Sequence, residues 1–300
     1  MIYPNFGEFE KLSRLGNRVP VWTTVPADLL TPVSAYMKLT RGGVKAKGRA
    51  HHYSFLLESV EGGETVARYT YLGVDPEMVL RFWIGEENAS RSSQGRIEVS
   101  AGGRKKTISG DFLVMAREIS AGFRHAPAEG LPPFTAGAVG YFGYDMISLR
   151  EPVPLPPRER AAAGRDRMPD AVLMFTATVL VFDHVKHQIW IVCNVPCRED
   201  ATRAELQQAY RQAQRDIQRI EKVLGGPLPP LESRGGSSRR IASPAYRSNF
   251  TKARFLNQVR RAKQHIRAGD IFQVVLSQRL ETRIRTDPFE VYRALRRVNP

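Results

Sequence analysis

Gln273, Ser277 and Arg279 are polar residues inside an otherwise apolar run, and they are spaced two apart or at multiples of two. If Asp270 to Leu280 is a strand, the two-residue period puts Phe272, Val274, Leu276 and Leu280 on one face, with Gln278 among them. Ile271, Gln273, Val275, Ser277 and Arg279 then share the other. A polar side chain in a buried strand must find a hydrogen-bond partner, because leaving it unpaired costs about 1–3 kcal/mol. Gln273 and its neighbours therefore either satisfy one another in a core or line a polar ligand cavity. Other chemistry-bearing residues are sparse. Cys193 and Cys197 form a C-x3-C pair with no second pair to complete a four-ligand zinc site, so reduced thiols are expected. His184 and His187 straddle a turn and read as a hairpin tip. The chain has no G-x-S-x-G elbow, Walker loop, dinucleotide fingerprint or H-E-x-x-H metal helix. The glycines of Gly137-Ala138-Val139-Gly140-Tyr141-Phe142-Gly143-Tyr144 suit close backbone packing in a bent strand better than a phosphate cradle.

These residues need a scaffold, and its elements can be read from periodicity and caps. Val21 to Val25, Tyr53 to Ser59, Val66 to Leu72 and Val79 to Ile84 read as strands, with Gly62-Gly63 making a tight turn between the second and third. Thr31-Pro32 starts a short helix to Leu39, and Asp111 to Gly122 makes another with Phe112, Met115, Ala116 and Ile119 on its stripe. Ala171 to Phe182 and Gln188 to Val195 are apolar enough to be strands covered on both faces, and a polar helix follows from about Glu199 to Leu224. Glu151 to Arg167 and Gly225 to Pro244 read as exposed connections. Beyond them, Asn249-Phe250-Thr251 opens a helix that Gly269 stops, and Asp287-Pro288 opens a last one to Val298. A proline straight after a helix introduces a further loop, so Asn299-Pro300 reads as an interruption inside a domain.

With 300 residues, 42% of them hydrophobic, the chain can bury a sizeable core. No apolar run approaches the roughly 20 residues of a membrane span, and Met1 to Glu8 does not resemble a signal peptide, so a cytoplasmic location is expected. The formal charge of +15 invites a nucleic-acid reading. Its clusters, Arg104-Lys105-Lys106, Arg239-Arg240, Arg260-Arg261 and Arg296-Arg297, fall in different elements without interleaved aromatics, so solvated surface is expected, with neither nucleic acid nor membrane as partner.

Five strings, taken in order, resemble the large subunit (component I) of anthranilate synthase, within the family of chorismate-utilising enzymes. They are Ser54-Phe55-Leu56-Leu57-Glu58-Ser59, Arg68-Tyr69-Thr70-Tyr71-Leu72-Gly73, Gly137 to Asp145, Met168-Pro169-Asp170-Ala171, and Gly269 to Arg279. The resemblance runs from near residue 5 to residue 300. It implies an α+β fold, a sandwich of large mixed or antiparallel sheets flanked by helices, left incomplete at the C-terminus. It divides the chain into a regulatory, tryptophan-binding region (1–224), a flexible linker (225–244) and the start of the chorismate-binding catalytic region (245–300). An interrupted sheet exposes edges and apolar faces, so an unstable, poorly soluble fragment is expected.

The activity so implied is conversion of chorismate and ammonia to anthranilate and pyruvate. Mg2+ acts as Lewis acid, a glutamine amidotransferase subunit supplies the ammonia, and L-tryptophan acts as feedback inhibitor. The metal ligands are expected outside this chain, which on its own is expected to be inactive. Ser59 is implied as a tryptophan-binding residue, with Glu58 and Arg68 as supports. Relatives that add water look to have a lysine base where Gln273 stands. An amide cannot accept that proton, so Gln273 suits a pocket whose nucleophile arrives as ammonia. Thr70 replaces a more common serine, and Ala136 stands where an extra glycine often precedes Gly137. Two other readings compete: the aminodeoxychorismate synthase large component, and a non-catalytic module that binds tryptophan or docks a subunit.

Overall fold

The computed structural model describes residues 1–41, 53–58, 68–85, 94–153, 168–230, 245–284 and 286–298. The chain divides into two compact units, Met1–Pro229 and Pro230–Pro300.

The first unit contains two five-stranded sheets, antiparallel at every pairing. In chain order the strands are β1 (Arg18–Pro26), β2 (Ser54–Leu57), β3 (Tyr69–Val74), β4 (Met78–Ile84), β5 (Gln94–Ala101), β6 (Arg104–Asp111), β7 (Gly137–Phe142), β8 (Ala171–Thr176), β9 (Thr178–Asp183) and β10 (Gln188–Pro196). One sheet runs β1-β10-β9-β3-β2 and the other β6-β5-β4-β8-β7. The run that reads as one strand from Ala171 to Phe182 breaks at Ala177, so that β8 belongs to one sheet and β9 to the other. β3 passes into β4 in the same way, through Asp75 at φ 50°. Strands that change sheets in this manner form the corners of a sandwich.

Helices α1 (Phe6–Leu12), α2 (Pro32–Arg41) and α4 (Arg203–Gly225) flank the first sheet, and α3 (Phe112–Ala121) flanks the second. Helix α4 starts at a capping box, in which the Thr202 hydroxyl accepts from the Glu205 amide and the Glu205 carboxylate accepts from the Thr202 amide. Its stripe of Leu206, Tyr210, Ala213, Ile217, Ile220 and Leu224 alternates steps of three and four and packs with Val21, Leu72, Leu180 and Ile191. Helix α3 is capped by Asp111 and contributes Phe112 and Ala116 to a second core with Leu80, Phe82, Ile97 and Phe175.

Strands β5 and β6 are not evident from the sequence. Their residues are largely polar, and Arg104-Lys105-Lys106 reads there only as surface charge. They form a hairpin around Gly102 and Gly103, whose φ angles of 56° and 78° are the left-handed values that a tight hairpin turn requires. The lysines of the edge strand β6 discourage further pairing.

The second unit holds α5 (Lys252–Ala268), α6 (Pro288–Val298) and a two-residue ladder between β11 (Arg247–Ser248) and β12 (Leu280–Glu281). Thr251 caps α5, Gly269 ends it at φ 79°, and Asp287 caps α6, as the sequence predicts. The expected strand from Asp270 to Leu280 is not formed: only Leu280 pairs, and residues 271–279 carry no strand. A strand exists only through its ladder, and none of the described residues supplies one to this apolar run. It lies open instead, with Phe272 94% and Val275 83% exposed. No helix among the described residues is long and apolar enough to cross a membrane.

Candidate functional site

Two of the residues expected at a tryptophan site, Glu58 and Arg68, adjoin β2 and β3 at one end of the first sheet. Ser59 lies outside the described residues, as does the expected Gly62-Gly63 turn. Glu58 directly follows β2 and is half-buried. Arg68 directly precedes β3, and its guanidinium forms a two-pronged ion pair with Asp183, Nε to Oδ1 at 3.1 Å and Nη2 to Oδ2 at 2.7 Å. Asp183 also accepts from the amides of Val185 and Lys186, both at 3.1 Å, and so builds the hairpin tip between β9 and β10. Burial alone pushes the Asp183 carboxyl up. The Arg68 guanidinium and the two turn amides outweigh that and hold it below the ordinary carboxylate value. The same pairing raises Arg68 further.

His184 is tied to the neighbouring strand twice: its amide donates to the Arg68 carbonyl at 2.9 Å, and its Nε2 is 2.8 Å from the Thr70 hydroxyl. The histidine pair is thus the hairpin tip that the sequence suggests. Thr70 faces the core, whereas Tyr69 and Tyr71 point to the opposite face, where Leu57 sits directly across the ladder from Tyr71. Phe134 meets the Tyr71 ring edge-on at 5.5 Å, and Tyr69 lies 6.2 Å from it. Burial pushes the Tyr71 phenol above its ordinary value. The result is a half-buried aromatic wall beside an ion-paired arginine, suited to a flat apolar ring. Asp183, Tyr71 and Phe134 are not evident as site residues from the sequence. The one available signal is an acidic residue at the last position of a strand before a turn.

Two other family-like strings have a structural role. A Cβ at Gly140 would fall inside contact of the Val172 carbonyl, and one at Gly143 would come 3.0 Å from the Asp170 carbonyl. Asp170 accepts from the Ile84 amide at 2.8 Å, and Tyr141 donates to the Pro169 carbonyl at 2.9 Å. The glycine-rich string and Met168-Pro169-Asp170-Ala171 therefore lock together across β7, β8 and β4. Gln273, in the second unit, is exposed within the unpaired 271–279 segment. The far end of that segment is held by Gln278 Nε2 to Ser248 Oγ, 2.8 Å, and Arg279 N to Asn249 Oδ1, 2.9 Å. Cys193 and Cys197 are free and buried, and burial raises both thiols to about 11. Among the described residues no three His, Cys, Asp or Glu side chains are grouped so as to hold a metal ion.

Residues 54–300 match the family model for chorismate binding enzymes, and the chain belongs to that family. Relatives that it resembles include proteins named anthranilate synthase component 1. Anthranilate synthase component 1 of Synechocystis sp. is 37% identical over 305 residues, which cover 100% of this chain and 55% of the relative. The protein of that name from Acetivibrio thermocellus is 33% identical over 308 residues, covering 100% and 56%. The crystal structure of anthranilate synthase component I from Streptococcus pneumoniae TIGR4 superposes with a TM-score of 0.52 at 25% identity, over 92% of this chain and 52% of that one. The chain thus spans about half the length of the relatives it matches.

Proposed function

We propose that these residues belong to the large subunit of a cytoplasmic anthranilate synthase, which converts chorismate and ammonia to anthranilate and pyruvate in tryptophan biosynthesis. A glutamine amidotransferase subunit delivers the ammonia. The observation that carries this reading is similarity along the whole chain to relatives bearing that name. Within the proposed enzyme the first unit is the tryptophan sensor. Ser59 holds the inhibitor, Glu58 supports it, and the wall of Leu57, Tyr69, Tyr71 and Phe134 offers its indole an apolar, edge-rich surface. Arg68 acts through position, since its charge is already committed to Asp183.

Gln273 borders the nucleophile side of the chorismate pocket, where an amide donates and accepts hydrogen bonds without removing a proton. Magnesium would supply Lewis-acid chemistry when bound, with its ligands expected from outside this chain. The 300 residues alone are expected to produce no anthranilate.

The test is ammonia-dependent anthranilate fluorescence in the whole subunit, parent against Ser59→Ala. The substitution should abolish tryptophan inhibition and spare the uninhibited rate. Undiminished inhibition removes Ser59 from the site. An aminated chorismate product that retains its enolpyruvyl group replaces the proposed activity with that of aminodeoxychorismate synthase.

A further inference from the structure

A second polar cluster, unrelated to the tryptophan site, lies where both sheet-changing strands cross. Arg18 opens β1, Glu77 precedes β4, Thr176 closes β8, Asn194 lies in β10 and His125 follows α3. Together they line a small cavity that admits the centre of a water-sized sphere over about 10 Å³. Arg18 donates to Glu77 at 3.0 Å and lays its guanidinium over the Phe123 ring at 4.5 Å, yet its Nη1 has no protein partner among the described residues. Thr176 is 4% exposed, and its hydroxyl likewise has none. The Asn194 side chain is engaged elsewhere: its amide nitrogen donates to the Thr135 and Ala177 carbonyls at 2.9 and 3.2 Å, and it is hydrogen-bonded to His125.

Leaving a buried donor and a buried hydroxyl unpaired is unfavourable, because each gives up its hydrogen bonds to water without replacement. A shared guest removes both costs if it can accept from Arg18 and exchange a hydrogen bond with Thr176. Size and charge narrow its identity. A water needs roughly 10–15 Å³ by this measure and two to four polar partners. The Arg18–Glu77 pair leaves the cavity without net charge, so a halide meets the Glu77 carboxylate and a cation meets the guanidinium. Burial, followed by the Arg18 charge, pushes His125 below its ordinary value.

We infer that this cavity binds one internal water molecule, accepting from Arg18 Nη1 and hydrogen-bonded to Thr176 Oγ1, as a fixed part of the joint between the two sheets. The experiment is a high-resolution crystal structure of the whole subunit, with a bromide soak, for the parent, Thr176→Ser and Thr176→Val. The expected result is one peak within hydrogen-bonding distance of both atoms in the parent and Thr176→Ser, its loss in Thr176→Val, and no anomalous signal there. Magnetic relaxation dispersion in solution should show one fewer long-lived water in Thr176→Val. Should that variant not fold, the parent and Thr176→Ser structures decide. An empty cavity, a direct Arg18–Thr176 hydrogen bond, or a bromide peak overturns the assignment.

Discussion

Replacing Asp183 tests how the sheet end beside the proposed tryptophan site is held. Its side chain is 2% exposed and carries four hydrogen bonds, two from Arg68 and two from turn amides. Asp183→Ala removes all four and leaves Arg68, 30% exposed, partly able to reach water. Breaking a buried ion pair from one side costs about 3–5 kcal/mol, and the exposure of Arg68 favours the lower end. For a unit of this size each kcal/mol corresponds to about 2–4 °C, so the melting midpoint should fall by roughly 6–20 °C. Asp183→Asn keeps an acceptor for the amides and loses the charge, so it should lie between parent and alanine.

The pH dependence has a definite sign. The folded-state pKa of Asp183 is depressed, so its contribution is present above the unfolded value of about 3.9 and is lost as pH falls through the lower folded value. The parent's advantage over Asp183→Asn should therefore shrink below about pH 4. Urea melts followed by circular dichroism across that range measure both effects. An alanine variant within about 1 kcal/mol of the parent at neutral pH, inside the range of an exposed ion pair, would refute the reasoning.

Other expectations follow from the same geometry. Gly140→Ala forces a methyl against the Val172 carbonyl and should cost at least the 1–3 kcal/mol typical of overpacking, read as a lowered urea midpoint. Thr202→Ala removes the α4 cap and should cost about 1 kcal/mol by the same melts. Cys193 and Cys197, with thiols near 11, should resist a chromogenic disulfide reagent at pH 8 in the folded chain and react at once in denaturant. Rapid labelling of the folded chain would contradict their burial. Gln273→Ala should shift the stability of this exposed position by less than about 0.5 kcal/mol, while lowering ammonia-dependent activity in the whole subunit.

Elements set by local chemistry were legible in the sequence. The helix starts at Thr31-Pro32, Asp111, Thr251 and Asp287, and the stop at Gly269, depend on side chains within a turn of the boundary. What depends on distant partners was not. Nothing local in Ala171 to Asp183 marks Ala177 as the point where the chain changes sheets, and the polar β5–β6 hairpin gains its pairing from β4. The run at 271–279 shows the converse: strand-like composition without a neighbouring strand does not make a strand. At the candidate site, Arg68 was legible only through resemblance. Asp183, more than a hundred residues away, becomes its partner because β3 and β9 lie side by side.

The two strand crossings also protect the sandwich against misassembly. In a sheet that is separate in sequence, a slip by one position turns over the side chains of that sheet alone. Here β9 continues into β8, and β3 into β4, with only a few residues between them. A slip of β9 against β3 would drag β8 past β4, turning Leu180 and Phe182 outward in one layer and Leu173 and Phe175 in the other. Each mispairing is thus penalised in both layers at once, and the correct alignment of either sheet proofreads the other.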